Sequence, residues 1–141
     1  MTSSTVPNHN APNVKLAGKS KVFEIYGIVH EVPFDLKGFP IFDKHIKYET
    51  RLPHEIATTN NSRLHMVSAT KDLHQNILDG KISAKLFTEK QLLQIAAGKP
   101  HISELTWHHH QDIGKMQLIP KDIHNKTSHI GWIGLNYDKR N

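Results

Sequence analysis

The spacing of hydrophobic and polar positions changes from region to region along this chain, and each spacing predicts a different element. VFEIYGIVHEVPF, residues 22–34, alternates over its first half: Val22, Glu24 and Tyr26 fall on one parity, Phe23 and Ile25 on the other. β-Branched and aromatic residues are dense from Val22 to Pro53, and Gly27, Pro33, Gly38, Pro40 and Pro53 interrupt them, so short strands and turns are predicted there. From Asn60 to Gly80 the period lengthens. Met66, Ala69, Leu73 and Ile77 recur at three- and four-residue intervals, the stripe of an amphipathic helix. Asn60, Asn61 or Ser62 supplies its cap, Gly80 ends it, and Arg63 and Lys71 lie on its polar side. Thr88-Glu89-Lys90-Gln91 is a capping box that opens a short helix through Leu92, Leu93, Ile95 and Ala96, which Gly98 and Pro100 stop. A hairpin follows, with Glu104–His110 as one strand, Gln111–Gly114 as the turn and Lys115–Ile119 as the return. Pro120 then opens a helix from Lys121 to about Lys126. Strands and helices in this order predict an α+β domain over residues 21–141. Residues 1–20 carry little apolar periodicity and read as a loosely ordered linker, like the cut end of a longer polypeptide.

Composition narrows the chemistry. The chain has 141 residues, 37% of them hydrophobic, enough for one modest core. No apolar run approaches the roughly 18 residues of a membrane span, and the N-terminus has no secretory signal pattern. Cysteine is absent, which excludes disulfides and thiolate metal sites; any metal must sit on His, Asp, Glu or Asn. A formal charge of +5, with twelve histidines able to add to it, suits a polyanionic partner without establishing one.

The histidines cluster where the period is that of a strand. Thr106-Trp107-His108-His109-His110-Gln111-Asp112 puts three imidazoles in sequence, with His124 and His129 following. Side chains alternate across a strand, so His108 and His110 share one face while Trp107 and His109 share the other. A hairpin packed on the next helix brings His108 or His109 within reach of His124. His129, five residues beyond His124, falls just past that helix. Imidazoles converging from a strand and a helix suit a divalent transition ion, and a neighbouring imidazole that does not bind the ion suits a general base. Asp112 and Asp122 are candidates for fixing a ring tautomer from behind. An exposed polar turn and a fragment of a purification tag are the plainer readings. The tag is disfavoured because the three are internal and flanked by a strand pattern. A purely structural zinc site without cysteine would be atypical.

TWHHHQDIGKMQLIPKDIHNKTSHIG goes further than good spacing. Trp107-His108-His109, Gly114-Lys115-Met116-Gln117-Leu118-Ile119-Pro120, His124 and His129-Ile130-Gly131 resemble the signature of WHH-type nucleases. These belong to the HNH/endonuclease VII group of the His-Me finger (ββα-metal) superfamily; Ile119 stands where valine is usual. Upstream, Gly38-Phe39-Pro40-Ile41-Phe42, Ala69-Thr70-Lys71-Asp72-Leu73 and Phe87-Thr88-Glu89-Lys90-Gln91-Leu92 resemble the family's preceding region, so that only the lead-in falls outside.

The resemblance implies a fold in which a ββα-metal hairpin and helix follow earlier helices and short strands. It implies a DNase that cuts phosphodiesters without sequence preference and leaves 5′-phosphate and 3′-hydroxyl ends. Carried over, His108 and His124 are metal ligands, His109 is the general base, and His129 is a third ligand or a phosphate contact. His110 has no family role and is taken as exposed or behind the ligands. The pair His109/His110 in place of His108/His109 stays open. One divalent ion is implied, magnesium, manganese, nickel or zinc, with imidazole ligands favouring a transition ion. Arg63, Lys71, Lys115, Lys121 and Lys126 are candidate phosphate contacts. The family further implies a toxin domain secreted within a larger bacterial protein, acting in the cytoplasm of a competing cell and neutralised by a cognate immunity protein. An RNase on the same scaffold, or a metal-stabilised nucleic-acid-binding module without catalysis, are the alternatives.

Overall fold

The computed structural model describes residues 12–127. Among these residues, two antiparallel sheets and four α-helices make an α+β fold. β1 (Ser20–Ile25) and β2 (Ile28–Pro33) form a hairpin in the expected region. β3 (Tyr48–Arg51) follows, then the short α1 (His54–Ala57), the long α2 (Ser62–Leu78) and α3 (Glu89–Ala96). β4 (Leu105–His109) and β5 (Lys115–Pro120) make the second hairpin, and residues 121–127 form α4. None of the described helices is long and apolar enough to cross a membrane.

β3 joins the second hairpin across some 60 residues of chain to give a three-stranded sheet in the order β3-β5-β4. Its register fixes which residues share a face. Trp107 lies opposite Leu118, which lies opposite Tyr48; His108 lies opposite Gln117, which lies opposite Glu49. The first row belongs to the larger core. There Trp107, Leu118, Met116 and Tyr48 pack with Ala69 and Leu73 of α2, Ile95 of α3 and Phe87. The opposite face is covered by the β1–β2 hairpin, Phe42 and α4, where Phe23, Val32, Phe34, Phe42, Ile119 and Ile123 form a second cluster. Among the described residues the sheet is thus a middle layer, with Gln117, Leu118 and Ile119 of the central strand buried, while β3 exposes Glu49 and Arg51 at one edge.

Local signals account for the helix ends. The Asn61 side chain accepts from Leu64 N at 3.0 Å and caps α2, a contribution of about 1 kcal/mol. Both capping-box bonds of α3 are made: Gln91 N donates to Thr88 Oγ1, and Thr88 N donates to Gln91 Oε1. Trp107 packs behind the hairpin, and its indole N–H donates to Thr70 Oγ1 at 3.0 Å.

Three features differ from the sequence reading. The buried stripe of α2 is His65, Ala69, Thr70 and Leu73, with Met66 and Ile77 only partly covered. His65 and Thr70 earn buried places because each has a polar partner. Glu104 lies outside β4, held at φ 66°, and β5 runs one residue further than expected, to Pro120. The described part of the lead-in is also tied down: Asn13 N donates to Gly38 O at 2.7 Å and Gly18 N to Asp35 O at 3.0 Å. A Cβ on Gly38 would come within 2.6 Å of the Asn13 carbonyl oxygen, so this docking depends on glycine at that position.

Candidate functional site

Strand alternation sends the adjacent histidines of β4 to opposite sides of the sheet. His108 enters the layer between the sheet and α4. Its ring is 2% exposed, meets Phe42 edge-on at 4.8 Å between centroids, and meets His124 at 5.5 Å. Phe42 also lies 5.9 Å from the His124 ring, so one phenyl ring packs both imidazoles. The sequence reading left open whether His108 or His109 would meet His124; in the structure it is His108.

Burial sets the charge state of this pair. His108 is pushed down to about 3, chiefly by burial and then by repulsion from His124, His110 and His109. His124 is lowered by burial, with a bond to Asn125 pulling the other way. Both rings are therefore neutral near pH 7, the form that donates a lone pair to a cation. His108 Nδ1 is buried without a hydrogen-bond partner among the described residues, although buried polar nitrogens are nearly always satisfied. A cation on that nitrogen would satisfy it. These two imidazoles fit part of a metal site. Among the described residues no third His, Asp or Glu joins them in a metal-binding group, and His129 lies outside the described residues.

His109 turns toward α2. Its Nε2 lies 3.2 Å from Nδ1 of His65, with ring centroids 5.3 Å apart. His65 is 1% exposed and its ring is lowered in pKa by burial, with carbonyls of Ile56 and Thr59 opposing the shift. The sequence reading missed His65 altogether. The signal available was its place four residues before Ala69 and eight before Leu73, on the buried stripe of α2.

His110 follows β4 and is half-buried, with an 18% exposed side chain. Its Nδ1 accepts from Asp112 N at 3.0 Å, while the Asp112 carboxylate stands 3.8 Å away. Burial lowers His110 first, helped by Lys115, against the pull of Asp112, Glu49 and Asp43. Asp112 thus supports His110, not His108 or His124. Asp122 is exposed on α4 and makes no bond to an imidazole among the described residues. Gln117, beside His108 on β5, is buried and donates to Glu49 Oε1 at 2.9 Å. Lys115 approaches the same carboxylate at 3.8 Å.

The expected cations divide between the two sides. Lys121 and Lys126 are exposed on the helix that carries His124, and Lys115 is half-buried at the start of β5. Arg63 and Lys71 are exposed on α2, across the sheet.

A family model described as the DNase/tRNase domain of colicin-like bacteriocins matches residues 32–131, from β2 through the described part of α4 and beyond. A search of curated proteins gives no match. The matched span takes in the whole three-stranded sheet, all four helices and every histidine of the cluster, and on that extent the chain belongs to the family of nuclease toxin domains of colicin-like bacteriocins.

Proposed function

We propose that the domain is a divalent-metal-dependent endonuclease of the WHH type that hydrolyses DNA without marked sequence preference. The observation that carries this reading is the His108–His124 pair: a buried ring and a half-buried ring packed on Phe42, both neutral near pH 7, with the Nδ1 of His108 lacking a partner among the described residues. A pair serving only as core would have its nitrogens hydrogen-bonded.

In this reading His108 and His124 hold the ion, with His129 as a further ligand or phosphate contact. A divalent cation bound there supplies Lewis-acid stabilisation of the charge that builds on the phosphate and the leaving oxygen. His109 is the base. It stands at the last position of β4, half-buried, where the strand gives way to the 110–114 loop. It takes a proton from water as the water oxygen bonds to phosphorus. The P–O3′ bond breaks, and the departing 3′-oxygen is protonated from solvent. Because His108 and His109 face opposite ways, the scissile phosphate must lie across the strand end, reached by one ring from each side. Lys115, Lys121 and Lys126 flank the ion side and steady the backbone phosphates; Arg63 and Lys71 serve a strand running over α2. The toxin acts inside a target cell after delivery within a larger protein, and an immunity protein protects the producer.

Incubating the domain with plasmid and magnesium, manganese, nickel or zinc, with and without chelator, tests this directly. Cutting that needs the ion and stops with chelator supports it, and intact plasmid with every ion overturns it. Degradation of tRNA beside intact plasmid would assign the chain to the tRNase side of its family.

A further inference from the structure

His65 is a buried histidine with both ring nitrogens engaged, placed behind the residue read as the base. The direction of its bonds follows from the hydroxyl of Thr59. That hydroxyl has one proton and donates it to Ile56 O at 2.7 Å, so toward the His65 Nε2 at 3.1 Å it accepts. His65 Nε2 therefore carries the ring proton. A neutral imidazole protonated on Nε2 has its lone pair on Nδ1. His65 Nδ1 thus accepts from His109 Nε2 across the 3.2 Å separation.

We propose that His65 is the positioning residue for His109, holding the His109 proton on Nε2 so that Nδ1 is the nitrogen that takes the proton from water. The chain of bonds runs from the Ile56 carbonyl through Thr59 and His65 to His109, and ties the strand end to the loop between α1 and α2. It does two things at once. It selects one of two tautomers, and it helps to fix the ring about χ1 and χ2. His65 is itself placed by the α2 stripe, and its 1% exposure keeps water from competing for the bond. The proposal rests on the reading of His109 as base.

Long-range proton–nitrogen correlation spectra of the labelled full chain, with the His109 signals assigned by their loss in His109→Ala, show which nitrogen bears the proton. The expected result is Nε2–H on His109 in the parent and exchange between both tautomers in His65→Leu. Nδ1–H on His109 in the parent overturns the proposal. In plasmid cutting, His65→Leu should lower kcat about 10–100-fold with KM nearly unchanged, the usual size of losing a partner that orients a functional imidazole. His65→Asn, whose amide oxygen can accept in place of Nδ1, should recover most of that loss. A folded His65→Leu that cuts at the parent rate overturns the proposal, as does a folded His65→Asn no better than His65→Leu. Should His65→Leu fail to fold, the parent spectrum and His65→Asn still decide, the latter measured against the parent rate. If His109→Ala cuts normally, the base assignment falls and the catalytic part of the proposal with it; an Nε2–H signal in the parent would then separate that failure from a wrong bond direction.

Discussion

The two faces of the β3-β5-β4 sheet treat identical side chains differently. On one, His108 is sealed against Phe42 and His124, and its Nδ1 lacks a partner among the described residues. On the other, His109 bonds to a buried histidine that is itself bonded to the 56–59 turn. The residues are neighbours in sequence, so composition and local charge are nearly the same for both. What separates them is the period of the strand and the layer each face meets. A ring among apolar neighbours with its lone pair unsatisfied is suited to a cation. A ring with an acceptor behind it is suited to moving a proton. One strand thereby presents two differently suited rings one residue apart.

The comparison breaks most readily at the base. His109→Ala should lower the cutting rate by about 10²–10⁴-fold in a plasmid assay while the ion-induced rise in melting temperature persists. Next in size is the ion side. In the parent, an ion at 100 times its Kd should stabilise the fold by about 2.7 kcal/mol. His124→Ala should forfeit about 1.3 kcal/mol of that for a tenfold loss of affinity, read from melts at fixed ion concentration; an undiminished shift would remove His124 as a ligand.

Acid sharpens the contrast further. The unfolded chain protonates its histidines near pH 6.5, whereas His65, His108, His110 and His124 resist protonation when folded, with His108 lowered to about 3. In that window the unfolded state binds more protons, so stability is full above pH 6.5 and falls as pH drops toward 3. Urea unfolding of the chelated protein at several pH values should show this fall, and His108→Phe should flatten it. A pH-independent parent would contradict the burial assigned to these rings. The smallest effect concerns phosphate contact: Lys126→Gln should weaken DNA binding evenly across sequences and reduce the salt slope by about 1. An unchanged slope would make Lys126 an ordinary solvated charge.

Elements whose signals are local were legible in the sequence. The capping box of α3, the Asn61 cap of α2 and the β4–β5 hairpin all stand where residue type and spacing place them. The opposite facing of His108 and His109 was legible too, since alternation requires only that the segment be a strand. The pairing of β3 with β5 was not, because nothing in YETR specifies a partner about 65 residues away. In the sequence Phe42 stands out only as part of a family segment, and its place between His108 and His124 depends on that same long-range packing. His65 was hidden for a different reason. A pattern of apolar periodicity skips a histidine, and the stripe Met66-Ala69-Leu73-Ile77 shares only Ala69 and Leu73 with the buried one, which takes in His65 and Thr70 instead. The partner that makes a buried imidazole affordable, Thr59, becomes visible only once the 56–59 turn is folded.

In the proposed reading the two faces divide the work: the ion is held on the side of His108 and the proton moved on the side of His109. Calorimetric titration of nickel or zinc into the parent, His108→Ala and His109→Ala tests it most directly. The account predicts near-parental affinity for His109→Ala and a large loss for His108→Ala. Ion binding abolished in His109→Ala, or unchanged in His108→Ala, would contradict it.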